Sequence, residues 1–318
     1  MQVSLRARMA ALVTVTAVAL VGCGGSPEAG TAGDTAAETI TVSHAQGSTQ
    51  VPVNPQRVVT FVMASLDTLD ALSVESVKGV PQKSVPKYLQ KYAGEGYTNV
   101  GTLFEPDYEA LPALQPDLII VAGRSSAAYQ ELAKNFTVID LTADSTTFSD
   151  SLSKNVNTLA QIFDKRAEAD RALADLSGRI DAVKTSFADA GKGLFLMTSG
   201  GELTAYGPGS RFDLVHSVFG IEPAVPNIKH EAQHGEAVSF EFVAQADPDW
   251  LFVLDRDAAT GEAGKSAEQV LDNALVARSK AWQQKQVVYL DPQAWYIVAS
   301  GLTATGTMVG QFENALKA

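Results

Sequence analysis

Cysteine is almost missing from these 318 residues, with Cys23 the single one. That excludes an internal disulfide and any thiolate metal site. Histidine is scarce as well, at four residues. His230 and His234 stand four apart, but Gly235 and the loop-like string HEAQHGEAV weaken a helical zinc pair, and no third His or Cys has a helpful spacing. His44 and His216 fall in a hairpin and a helix and read as structural. Catalytic signatures are lacking too: there is no G-x-S-x-G elbow, since Gly207-Pro208-Gly209-Ser210-Arg211 has the wrong spacing, and no phosphate-binding loop. Ser, His and Asp are present without being placed together, so the chain reads as a non-enzyme with no catalytic residues. Basic residues number 24 against 36 acidic, a net charge of −12. Such a surface excludes nucleic acid and charge-driven binding to anionic lipid. Long apolar runs are limited to Met9–Val21, too short to span a bilayer well.

What is present is a repeat. Glu109 to Arg124 reads EALPALQPDLIIVAGR, and Glu241 to Arg256 reads EFVAQADPDWLFVLDR. Both have Glu, six residues, Pro-Asp, six residues, Arg, and they share five identities in sixteen without a gap. Each Glu follows an aromatic residue, Tyr108 or Phe240. Glu through the residue before Pro reads as a short amphipathic helix, ended because that residue avoids the helical region. The apolar run that follows has the pattern of a parallel strand buried on both faces. Each Arg then sits just past a strand's carboxyl end, where open α/β sheets bind ligands. Two such units imply an α/β fold of two similar lobes, each offering an Arg to a shared cleft and a Glu to the outer surface.

The rest of the chain fits that plan. Residues 1–22 carry Arg6 and Arg8 ahead of the apolar stretch and read as a secretory signal. Leu20-Val21-Gly22-Cys23 looks like a bacterial lipobox, making Cys23 the lipidation site, and residues 23–38 a flexible tether. Without the signal, 22 basic residues face 36 acidic, a net charge of −14. Residues 39–150 alternate strand and helix as an N-terminal α/β lobe, opened by a hairpin turning at Gln46-Gly47-Ser48. Residues 147–190 hold no Pro and one Gly (Gly178), with apolar residues at helical spacing. Two helices breaking near Asp164 are expected there, the second a long rigid strut between lobes, so that 151–190 is the interlobe backbone. Residues 191–318 form a C-terminal α/β lobe, with a helix capped by Ser210 that carries Arg211 and Phe212, one around Ala267 to Ala277, and a last one from about Leu302.

Three arginines stand where strands or turns meet helix starts: Arg124, Arg211 and Arg256. Helix N-termini favour negative charge, and Arg adds a planar fork of donors. Any one of them pairs as readily with a local carboxylate such as Asp213, Asp255 or Asp257; three at matching topological positions favour an anion pocket. His234, in a loop beside Gly235, and Tyr296, in the string DPQAWYIVASG, are the candidate metal ligands, since phenolate suits Fe(III) and imidazole is a common partner. Taken alone, each is more often a surface or core residue.

With these residues in place, the chain resembles the siderophore-binding lipoproteins of iron ABC transporters, in the branch that takes ferric catecholates. The resemblance runs from about Thr41 to the end, strongest at YTNVGTLFEPDYEALPALQPDLIIVAGR, AYGPGSRF, HGEAVSFEF, DRDAA, SAEQVLDNALV and VYLDPQAWY. It implies a monomeric clamp of two lobes around a backbone helix, lipid-anchored on the outer face of the cytoplasmic membrane, with no intrinsic cofactor. It implies that Arg124, Arg211 and Arg256 hold the catecholate oxygens of an Fe(III)-siderophore. His234 and Tyr296 would complete the iron's coordination when the chelator supplies only four donors. Glu109 and Glu241 would dock on arginines of the permease of the ABC importer. Haem or cobalamin binding on the same fold is the alternative, and would want a more aromatic and less basic cleft.

Overall fold

The computed structural model describes residues 38–229 and 235–317. The expected signal segment, Cys23 and the tether up to residue 37 lie outside these residues, as does His234. The described chain opens with an antiparallel hairpin, β1 (Thr39–His44) and β2 (Gly47–Pro52). Its turn falls at Ala45-Gln46 rather than Gln46-Gly47-Ser48, because His44 pairs with Gly47. Gly47 opens β2 at φ +129, a conformation side chains disfavour.

The first sheet is parallel throughout, in the order β5-β4-β3-β6-β7. Its strands are β3 (Val58–Thr60), β4 (Val77–Val80), β5 (Thr98–Asn99), β6 (Leu118–Val121) and β7 (Val138–Asp140). The second sheet is mixed, with β8 (Lys192–Ser199), β9 (Glu202–Tyr206), β10 (Glu222–Pro223), β11 (Glu236–Val238), β12 (Trp250–Asp255) and β13 (Val287–Tyr289). Its order is β11-β9-β8-β12-β13, and β10 also pairs with β8. The two post-Pro-Asp runs, β6 and β12, take inner places in their sheets and are buried almost throughout. Continuous apolar sequence is what an inner parallel strand requires.

The repeat has a common physical basis. The short helices Ala110–Leu114 and Phe240–Ala246 both end on a left-handed residue before proline, Gln115 at φ 47 and Asp247 at φ 41. Each Pro-Asp then fastens the neighbouring strand. The Asp117 N–H donates to the Arg57 carbonyl while its Oδ2 accepts from the Gln56 and Arg57 N–H groups, at 2.8, 2.9 and 3.0 Å. The Asp249 N–H donates to the Lys192 carbonyl at 2.9 Å, and its Oδ2 accepts from Lys192 N–H at 2.8 Å. The helix starts correspond too: Asp107 Oδ1 accepts from Glu109 and Ala110 N–H, and Ser239 Oγ from Phe242 N–H.

Two helices differ from expectation. The Ala267 to Ala277 segment stops at Leu271, because Asn273 turns its side chain onto the Leu275 N–H and starts a separate 3-10 turn, Val276–Arg278. Arg211 and Phe212 lie in a turn ahead of the helix Leu214–Ser217, whose N-cap is Asp213; Ser210 Oγ accepts only from Phe212 N–H.

Between the sheets run Phe148–Ile162 and Arg166–Phe187, separated at Asp164, which adopts φ 53. The C-terminal helix Leu302–Ala315 packs along the longer of them. There Arg179 grips Glu313 through two bonds of 3.0 Å and also donates to the Gly306 carbonyl. Phe312 stacks on Phe252 and meets Phe187 and Phe219, so one apolar core continues from the first sheet into the second.

The C-terminal helix is also fastened to the first lobe. Asp67, fully buried on the helix Met63–Ala71, accepts from Thr303 and Ala304 N–H at 2.8 and 3.1 Å, and from the Tyr88 hydroxyl at 2.5 Å. A Cβ at Gly301 would overlap that carboxylate, so glycine is required there. Burial pushes the Asp67 pKa up to about 6, against the pull of these three donors. Because the folded value is raised, the group's contribution to stability is fully present below the ordinary carboxylate range and lost as pH rises through about 6. Asp67→Ala is expected to cost about 2 kcal/mol in urea unfolding, since it strands the buried Ala304 N–H and the partly buried Thr303 N–H and Tyr88 hydroxyl. Asp67→Asn should flatten the fall in stability from about pH 4 to about pH 7 relative to the parent; equal pH profiles would refute the assignment.

Candidate ligand-binding cleft

Tyr296 is the point on which the predicted arginines converge. It lies in a single π-helical segment, Gln293–Val298, closed by an Ala299 N–H to Ala294 carbonyl bond of 2.8 Å. Ala299 then takes φ 61 and ψ −87, a strained pair for a residue with a side chain. Such turns interrupt the regular helical ladder and leave carbonyls free for other donors. Arg124 uses them: its Nη2 donates to the Tyr296 carbonyl at 2.7 Å and its Nη1 to the Ile297 carbonyl at 3.3 Å. Gly123, at φ 44, turns the chain after β6 so that Arg124 leaves the first lobe and reaches across to the second.

Arg211 arrives from the turn after β9. Its guanidinium lies 4.8 Å from the Tyr296 ring centre and 4.8 Å from that of Phe212. Arg256 starts the helix Arg256–Thr260 after β12, with Asp255 as N-cap accepting from the Ala258 N–H. Its Nε donates to the Tyr296 hydroxyl at 3.3 Å, and its Nη1 donates to Ser199 Oγ at 3.1 Å and Glu262 Oε2 at 3.2 Å. All three guanidinium carbons lie within 6.0 Å of one phenol ring.

The electrostatics of the three differ. Arg256 has carboxylates close by, Asp257 at 3.6 Å and Glu262 at 3.2 Å, and the Tyr296 hydroxyl helps hold it protonated. Arg124 and Arg211 have no carboxylate within ion-pair range among the described residues, in a chain carrying 36 acids. Burial, then the charge of Arg211, holds Arg124 below the usual guanidinium range. Two like charges kept together without a counter-ion form a site that attracts an anion.

A cavity of about 460 Å³ opens beside them. Its walls come from the carboxyl ends of β3, β6 and β7 on one side and from Arg211, Phe212 and Tyr296 on the other. Arg124, Arg211 and Tyr296 line it, while Arg256 stands outside the lining and reaches it through the Tyr296 hydroxyl. Glu109 and Glu241 are exposed and away from this lining, near the starts of their short helices. Sequence reasoning passed over Phe61, Trp295 and Ser199. Phe61 and Ser199 follow or close strands and could have been found by the same end-of-strand rule that found the arginines. Among the described residues no cluster of three His, Cys, Asp or Glu is placed to hold a metal ion, and no helix is long and apolar enough to cross a membrane.

Known proteins share this architecture. The family described as Periplasmic binding protein matches residues 58–294. The petrobactin-binding protein YclQ of Bacillus subtilis is 38% identical over 310 residues, covering 96% of this chain and 97% of the relative. Its crystal structure matches with a TM-score of 0.85, covering 88% of this chain and 99% of that one. The ferric-anguibactin-binding protein FatB of Vibrio anguillarum is 32% identical over 272 residues, 83% of this chain and 84% of the relative. The catecholate-siderophore binding protein VctP of Vibrio cholerae, 32% identical, gives a TM-score of 0.81 over 87% of this chain and 100% of that structure. These relatives are named as binding proteins rather than enzymes. On the extent of the match and the shared fold, the chain belongs to the periplasmic binding protein family.

Proposed function

We propose that this chain captures a ferric siderophore of the catecholate class between its lobes and delivers it to the permease of an ABC importer. The observation that carries the reading is the pair Arg124 and Arg211, half-buried around Tyr296 and without a carboxylate partner among the described residues. A ferric complex of two or three catecholates carries several negative charges, which guanidinium groups in a partly dry cleft neutralise and orient. The names of the relatives, for petrobactin, ferric anguibactin and catecholate siderophores, support the ligand class. Arg124, Arg211 and Arg256 bind the chelate in this reading. Tyr296 and His234 fill the two iron sites that a tetradentate chelator leaves open. Cys23 carries the lipid anchor that holds the mature chain at the outer face of the cytoplasmic membrane, and the protein works as a monomer.

Residues 39–150 and 191–318 act as the two lobes and 151–190 as the backbone between them. The continuous core and the Asp67 attachment favour a clamp that opens little. Glu109 and Glu241, exposed and related by the repeat, dock on arginines of the permease. The Glu241 carboxyl is held below its usual range, first by its own backbone N–H and then by Ser239, so it stays ionised when it docks.

Titrating the purified protein with a ferric bis-catecholate, haem and cobalamin tests the ligand class through tryptophan fluorescence, Trp295 being next to Tyr296 and buried. Saturable quenching by the ferric complex alone is expected; quenching by haem or cobalamin alone would replace the reading. Tyr296→Phe is expected to abolish the phenolate-to-iron absorption band with tetradentate chelators while keeping affinity for hexadentate ones within about threefold. An unchanged band would remove Tyr296 from the iron.

A further inference from the structure

The cavity lining also includes the start of the helix Met63–Ala71, where several donors have no acceptor among the described residues. The N-cap residue, Val62, supplies no side-chain bond, so the N–H groups of the first turn are unsatisfied by any cap. Two hydroxyls of the same helix, Ser65 and Thr68, line the cavity. They are 4% and 2% exposed, and among the described residues neither side chain has a hydrogen-bond partner. Both are on one helical face, three positions apart. The opposite face of the helix carries Asp67, whose carboxylate is turned away to the Thr303 and Ala304 N–H groups. The acid that does line the cavity, Asp144, is exposed and spends one oxygen on the Thr146 N–H and hydroxyl. The same lining includes the apolar side chains of Phe61, Leu159 and Met308, and Asn155, whose amide donates to the Leu141 carbonyl.

Hydroxyls of nearly buried residues that open onto a cavity without a protein partner are suited to an acceptor carried in by the ligand. A helix start adds a preference for negative charge. Resting on the ferric-catecholate reading, we propose that Ser65, Thr68 and the first turn of this helix form a second subsite that takes a free carboxylate on the linker of the siderophore. The arginines hold the iron-bound catecholates, and this subsite selects among chelates by what joins the two rings.

The test uses two chelators, the bis(dihydroxybenzoyl) derivatives of lysine and of cadaverine, which differ by a single carboxylate. Their ferric complexes are titrated into the mature protein and into a Ser65→Ala, Thr68→Val variant. The parent is expected to bind the lysine derivative about tenfold more tightly, the scale of one or two charge-assisted hydrogen bonds. The variant should lose most of that preference, the N–H groups of the first turn keeping a small part of it, and should keep its affinity for the cadaverine complex, which also reports that it is folded. Equal affinities in the parent, or a preference undiminished in the variant, would overturn the subsite while leaving the ferric-catecholate reading in place. Failure of the parent to bind either complex would overturn both.

Discussion

Arg124→Glu combined with Arg256→Glu is expected to weaken binding of a ferric bis-catecholate by more than about a thousandfold, the scale of several kcal/mol of like-charge repulsion. The change reverses a guanidinium from each lobe on opposite sides of Tyr296. Arg211 alone would then face two carboxylates and an anionic chelate. The fold should survive. Arg124 bonds only carbonyls, and Asp257 next to Arg256 keeps bonds from Ser199 Oγ and the Gly200 N–H. Circular dichroism on the apoprotein checks that, and the neutral Arg124→Gln, Arg256→Gln variant should lose less affinity than the reversed one. Unchanged affinity in the folded double reversal would show that the chelate binds elsewhere.

The second large effect is on transport rather than binding. Glu109→Arg with Glu241→Arg is expected to bring uptake of the iron chelate close to background in cells where the variant replaces the parent. Its Kd in solution should stay within about twofold of the parent value, because neither side chain lines the cleft. Both glutamates are exposed at the starts of short helices ahead of β6 and β12, so each lobe presents one. Exposed single charges contribute little to stability, which leaves docking as the property tested. Each single reversal should reduce uptake less than the pair does. Full uptake by the double variant would assign these residues to solvent.

Much of this architecture was legible because its signals are local. An apolar run after Pro-Asp has the pattern of an inner parallel strand, and the residue beyond such a run sits at the strand's carboxyl end; that reasoning put Arg124 and Arg256 where β6 and β12 end. What escaped depends on distant partners. Asp67 looks like a surface acid on a helix until Thr303 and Ala304, 236 and 237 positions away, arrive to be capped. The π-helical turn at Gln293–Val298 has no composition of its own, and its free carbonyls matter only because Arg124 reaches them from the other lobe. Short helices were blurred for another reason. Asn273 and Asp213 offer local side-chain bonds that compete with helix continuation, and periodicity does not register them. Arg211 lines the cavity but in a different setting from the one expected, since it stacks on Phe212 and Tyr296 rather than riding on a helix. His234 lies outside the described residues.

A crystal structure of the protein with a ferric bis-catecholate tests the central claim most directly. Guanidinium nitrogens of Arg124, Arg211 and Arg256 are expected at hydrogen-bond distance from the chelate oxygens, with the Tyr296 phenolate oxygen on the iron. A chelate seated outside the interlobe cleft, or one approached by none of the three arginines, would contradict it.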